Sequence, residues 1–228
     1  RCLSGVGDSP DFDSVVDVVL DVDAKPEKIV FSRPPLELLL TPKIGNPMRL
    51  IGVHAKSKAP HGAKTRQQEV RISIENRRKQ LAQCIWLRKR VEQHFDAGDD
   101  LIVLGDFNDG PGLDEYEKLF GQSGVEIVMG VGEPLNRILR EPHAEAAMSA
   151  RAGTAPTTSR FYNHRNKTYL NALLDFIMAS PDLAKSAKPI WKIWHPFNDP
   201  DCFDNKVLCD ALLNASDHFP VTIDLDLT

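Results

Sequence analysis

Apolar residues recur along this chain in two rhythms, and the changes between them mark out its elements. Val15 to Val22 is an apolar, β-branched run broken by Asp17 and Asp21, which predicts a strand. Leu36 to Leu40 and Leu50 to Val53 predict two more, joined across the turn-forming PKIGNP. Over residues 66 to 96 the spacing lengthens. Leu81, Cys84, Ile85, Val91 and Phe95 fall at helical intervals with Arg and Lys in the gaps, predicting a long amphipathic helix, and Gly98 stands where its C-cap belongs. Leu101 to Leu104 is a short, fully apolar strand. LDEYEKLF (113–120) predicts a short helix, and Val125 to Val131 a strand. Leu173 to Ala179 predicts a strand with one acid inside it, and Val221 to Leu227 alternates as a terminal strand. Residues 132–168, rich in Pro, Arg, Ser and Thr, and residues 181–210 are expected to be long surface loops, the first of them a candidate lid. No repeat or linker divides the pattern, so residues 1–228 are expected to form a single domain.

Composition adds little that the pattern does not already imply. A chain of 228 residues, 42% hydrophobic and 26% charged with both signs mixed, has enough apolar surface for a core and too much for wholesale disorder. A formal net charge of −4 argues against a protein that coats nucleic acid electrostatically. It is compatible with an enzyme that handles phosphate through a bound cation, because the cation brings its own charge. No apolar run is long enough for a transmembrane segment. Cys2, Cys84, Cys202 and Cys209 show no metal-ligand spacing; Cys202 and Cys209 are close enough for a loop disulfide and equally suited to a reduced pair. The compartment is left open.

The candidate chemistry sits where apolar strands end. His54 follows RLIGV, Asp106 and Asn108 follow LIVLG, Asp175 lies inside LLDFIMAS, and Asp217 and His218 precede the last strand in SDHFPV. Each has an ordinary explanation. Asp and Asn after a strand make Asx-turns, SDH can end a loop, and a lone His is commonly a hydrogen-bonded structural residue. The basic cluster ENRRKQ on the long helix reads as a solvated face, with phosphate contact as the alternative. Asp175 is harder to dismiss, since a carboxylate among Leu, Phe and Ile needs a partner, and a His suits it. Taken together, the set suits phosphodiester hydrolysis. Carboxylates can hold a hard cation, an imidazole oriented by an acid can move a proton, and an amide can meet a phosphate oxygen without adding negative charge.

LIVLGDFND, LLDFIMAS and SDHFPV, in that order, resemble the endonuclease/exonuclease/phosphatase superfamily, typified by pancreatic-type deoxyribonuclease. IGVHAKSKAP and FSRPPLELLL resemble its preceding strands, so the likeness runs from about Ile29 to the end. The resemblance implies a mixed α/β fold, a four-layer sandwich of two stacked, mostly antiparallel β-sheets flanked by helices. It implies a metal-dependent phosphoesterase, nuclease-like, acting on a phosphoester substrate with nucleic acid among the candidates. The cofactor would be Mg2+, with Mn2+ or Ca2+ as alternatives. Carried over by motif, His218 is the central catalytic His, Asp175 orients it, Asp106 binds or activates water, Asn108 contacts the scissile phosphate, His54 stands near the leaving group, and Asp217 is a metal-side carboxylate. Two other readings stay open: a binding module of the same fold without activity, and a lipid-headgroup or inositol phosphate phosphoesterase, for which WKIWHPF (191–197) offers a membrane loop, although aromatics buried in a long connection are its more ordinary account.

The superfamily's Asn-bearing first strand and its metal-binding Gln-Glu have no counterpart before Phe31, and QQEV at 67–70 falls on the predicted helix. The expectation is therefore a fold lacking its N-terminal part, with an exposed sheet edge available for self-association. Asp109 and Asp114, beside the GDFN turn, are the further carboxylates that could hold the ion.

Overall fold

The computed structural model of the chain describes residues 15–18, 27–31, 33–113, 121–149, 156–163 and 167–228. A four-stranded sheet organises it. Strand β3 (Leu36–Leu40) pairs antiparallel with β4 (Met48–His54), β4 runs parallel to β5 (Asp100–Asp106), and β5 pairs antiparallel with β8 (Asp175–Ala179). Three two-stranded antiparallel sheets accompany it. These are β1 (Val15–Val18) with β2 (Glu27–Val30), β6 (Ser159–Asn163) with β7 (Thr168–Ala172), and β9 (Ile190–Ile193) with β10 (Val221–Asp224).

Both faces of the central sheet are covered, which is why LIVL carries no polar position. Side chains alternate along a strand, so Leu101 and Val103 enter one core while Ile102 and Leu104 enter the other. The first core holds Ile51, Phe176 and Met178 against Cys84, Leu87 and Val91 of the long helix α1 (Arg66–Ala97). The second joins Met48, Ile102 and Ala179 to Trp191, Ile223 and Leu225 of the β9–β10 layer. Helix, sheet and second β-layer are thus stacked in order, and the mixed α/β, multi-sheet architecture expected from the sequence is present.

Helix α1 starts at Thr65, whose hydroxyl accepts from the Gln68 amide, and stops at Gly98 in the left-handed conformation (φ 72°). Three of its arginines are less solvated than the pattern suggested: Arg77, Arg88 and Arg90 are buried, as are the neutral Asn76 and Gln80, while Lys79 and Lys89 stay exposed. Arg90 donates to both carboxylate oxygens of the fully buried Glu37 (2.8 and 2.7 Å), so the helix is fastened to β3 by charge as well as by apolar contact.

Three expectations about secondary structure change. Residues 125–131 are not a strand: Gly124–Met129 is a short helix, α2. Its Ser123–Glu126 capping box and left-handed Gly130 close both ends, and these local signals outweigh the β-branched content. Residues 132–168 are not one loop, for they contain a 3-10 turn at Leu135–Arg137, helix α3 (Pro142–Met148) and strand β6. Likewise 181–210 carries α4 (Pro181–Ala187), β9, α5 (Pro200–Asp204) and the start of α6 (Lys206–Ala215). Each of α3, α4 and α5 has Pro in its first turn, a position where the missing N–H costs nothing. The expected helix at 113–120, apart from residue 113, and residues 19–22 of the first strand lie outside the described residues. Cys202 and Cys209 are free thiols, the first buried, so no disulfide closes that segment.

Candidate active site

The pairing registers bring the polar strand ends into one row. His54 is the cross-strand neighbour of Asp106, and Asp106 that of Asp175. Two carboxylates therefore end adjacent strands side by side. Burial pushes the Asp106 carboxyl above its usual range, the Asn108 amide pulls it down, and the charge of Asp175 pushes it up again. His218 arrives from the chain preceding β10. Its backbone bridges to Ser159, and its Nδ1 lies 2.8 Å from Oδ2 of Asp175. That hydrogen bond is the main reason the imidazole holds its proton above the ordinary histidine range. One ligand atom from each of Asp106, Asp175 and His218 lies within 4.8 Å of the others, a spacing that could hold a metal ion.

The turn after β5 is built to present Asp106. Gly105 approaches the neighbouring strand so closely (φ 137°) that an added Cβ would fall 2.0 Å from the Val53 carbonyl oxygen. Asn108 takes a positive φ of 50°, which Asn tolerates better than most residues. Its backbone N–H donates to Asp106 Oδ1 (2.7 Å), and its side-chain amide donates to Asp106 Oδ2 (2.9 Å) and to the Ala55 carbonyl (3.1 Å). The Asx-turn and the site are thus the same structure. Gln80 of α1 donates to the carbonyls of Lys56, Phe107 and Asn108, stapling the β4 and β5 ends together. Thr158, fully buried, accepts at its hydroxyl from the amides of Leu174 and Asp175 (both 3.0 Å) and fixes where β8 begins.

His54 sits at the rim. Its exposed ring lies 3.6 Å from Asp106 Oδ2 and within 2.8 Å of Arg33 Nη1. Asp217 is not in the three-residue cluster; it lines a neighbouring pocket with Arg160, Tyr169 and Phe197. Asp109 is not available to an ion at all. Almost completely buried, it accepts from Lys58 (2.7 Å), Arg77 (2.5 Å) and the Gly124 amide (2.6 Å). Arg77 is accordingly neither solvated nor turned to a phosphate; it neutralises Asp109 in the interior. Asp114 lies outside the described residues. Arg33, Gln80 and Thr158 were missed from the sequence. Gln80 and Thr158 act through backbone carbonyls and amides, which leave no motif.

Set on this geometry, the sequence profile of the Endonuclease/Exonuclease/phosphatase family matches residues 15–218. The chain belongs to that family. The match begins upstream of Ile29, where the motif likeness starts, and takes in β1 and β2. Members of the endonuclease/exonuclease/phosphatase family are typically hydrolases of phosphoester bonds and generally use a divalent metal. No curated protein matches the chain. Among the described residues, no helix is long and apolar enough to cross a membrane.

Proposed function

We propose that this chain is a divalent-metal-dependent phosphodiesterase, nuclease-like in its chemistry, with His218, Asp175, Asp106, Asn108 and His54 at its centre. The observation that carries the reading is the His218–Asp175 pair facing Asp106 across one row of strand ends. With Nδ1 committed to Asp175, His218 has its Nε2 left to meet a phosphoryl oxygen as hydrogen-bond or proton donor. Asp106 binds the attacking water and takes its proton as the new P–O bond forms. The bond to the leaving oxygen breaks as that oxygen takes up a proton, a role we assign to His54 at the rim of the site. Asn108 presents its amide to the phosphate by exchanging its bond to the Ala55 carbonyl.

Asp106 and Asp175, with carboxylate oxygens within 4.8 Å of each other, form an oxygen donor set that fits a hard cation, since paired negative charge is costly without one; His218, with Nδ1 given to Asp175 and Nε2 to the phosphate, is not one of its ligands. Asp106 would hold it, and Asp217, outside the three-residue cluster, is the further carboxylate we assign to it from its motif. When bound, Mg2+ or Mn2+ supplies charge neutralisation to the phosphoryl oxygens. The test is hydrolysis of bis(p-nitrophenyl) phosphate by chelator-treated protein, then with Mg2+, Mn2+ or Ca2+ restored. Turnover that survives chelation, or that His218→Ala leaves unchanged, would sink the proposal.

A further inference from the structure

The β6–β7 hairpin has two faces with different occupants. Its register sets Arg160 opposite Asn171, Phe161 opposite Leu170, and Tyr162 opposite Tyr169. Phe161 packs edge-on against the His218 ring, with centroids 5.4 Å apart. Side chains alternate along a strand, so Arg160, Tyr162 and Tyr169 lie on the reverse face. There the Arg160 guanidinium stacks on the Tyr169 ring at 3.9 Å and near the Phe197 ring at 4.8 Å. Its Nε is buried and unpartnered, and no described residue accepts a hydrogen bond or ion pair from the guanidinium. This cation opens on a pocket of about 660 Å³ whose walls include Asn214, Ser216 and Asp217.

Rings on its faces leave a guanidinium only its in-plane N–H groups, and these suit a planar pair of acceptor oxygens. Asp217 does not fill that role, since it makes no ion pair with Arg160. Its charge on the same wall disfavours a doubly charged phosphomonoester more than a singly charged diester, because repulsion scales with the product of charges. The exposed Tyr162 and Tyr169, paired edge-to-face at 5.1 Å, add a ring surface beside the cation. Rings interleaved with a cation are what a single-stranded nucleic acid uses for stacking and backbone contact.

We infer that Arg160, framed by Tyr169 and Phe197, is a subsite for an internal, non-scissile phosphodiester of the substrate strand. The inference rests on the phosphodiesterase reading, and it separates the subsite from the cleaved bond. The pocket shares the 216–219 strip with His218, because Asp217 and Phe219 line it and the Arg160 amide donates to the Asp217 carbonyl (2.8 Å). A strand crossing that strip can place one phosphate at His218 and another at Arg160.

The test is equilibrium binding, in EDTA so that nothing is cleaved, of fluorescein-labelled octathymidylate with unphosphorylated ends to the full chain and to Arg160→Ala. Arg160→Ala is expected to weaken binding about tenfold at low salt. It should also flatten the slope of log K against log salt by about 0.7, the share of one single-strand phosphate. Arg160→Lys should fall between the two, since it keeps the charge and loses the fork. Unchanged affinity and slope would overturn the inference. So would equal weakening of a neutral methylphosphonate octamer, or an Arg160 dependence seen with inorganic phosphate alone. Should Arg160→Ala fail to fold, judged by circular dichroism, Tyr169→Leu removes one stacking ring from the surface and should weaken octathymidylate about threefold; parental affinity there would equally overturn it. An Arg160-dependent phosphate contact in a chain that hydrolyses nothing would leave the subsite standing and the phosphodiesterase reading fallen.

Discussion

The Nδ1 of His218 lies 2.8 Å from Oδ2 of Asp175, across 43 residues of chain. The bond fixes the ring's orientation and occupies Nδ1, so that Nε2 is the nitrogen it does not use. Replacing His218 with Ala should lower turnover of a bis-aryl phosphodiester by about 10²-fold or more, because the positioned proton donor is lost. Asp175→Asn keeps the shape and should cost about 10- to 100-fold, acting through the ring it no longer orients. Steady-state kinetics on both variants checks the ordering.

His54 should matter less. Its ring is exposed and 3.6 Å from Asp106, with Arg33 beside it. His54→Ala is expected to reduce turnover by less than about tenfold, an effect smaller than that of His218→Ala in the same assay. A loss as large as that of His218→Ala would make His54 an equal partner in the chemistry.

Asp109 stands beside the turn that follows β5 yet belongs to the interior. Asp109→Ala removes the carboxylate shared by buried Arg77 and half-buried Lys58, and breaking one half of a buried ion pair costs about 3–5 kcal/mol. Urea unfolding should show that loss as a lower midpoint, while metal affinity of the folded fraction is retained.

Glu37 makes stability depend on acid pH. Burial pushes its carboxyl up, but the His94 ring 3.2 Å away and the two hydrogen bonds from Arg90 outweigh burial and lower its pKa from 4.5 to about 2. A carboxyl depressed on folding contributes stability that is fully present above pH 4.5 and lost as pH falls toward 2. The contribution near neutrality is about 3 kcal/mol. Unfolding of the parent and of Glu37→Gln should differ most at neutral pH and converge as pH falls from 4.5 to 2.

Apolar rhythm and short-range chemistry were enough for much of this molecule. The unbroken LIVL segment, the 32-residue helix with its Gly98 cap, and the strands around PKIGNP follow from periodicity and turn residues, which act over a few residues. The candidate chemistry was legible for a similar reason: an acid inside LLDFIMAS has to be paired, and His218 pairs it. Other outcomes needed the folded chain. The helix at 124–129 was hidden because its capping box is weak evidence beside a β-branched run until both ends are seen closed. Arg77 looked like one more solvated cation on a basic helix. Only the approach of α1 to the β5 turn brings it to Asp109 and makes that acid structural. Arg160 carried no signal in a polar segment, because its meaning comes from Tyr169 and Phe197, which pairing and packing bring to it from elsewhere in the chain. Periodicity reports which face of an element is buried. It does not report which partner lies across the gap, and for a charged side chain the partner decides whether it is core, site or solvent.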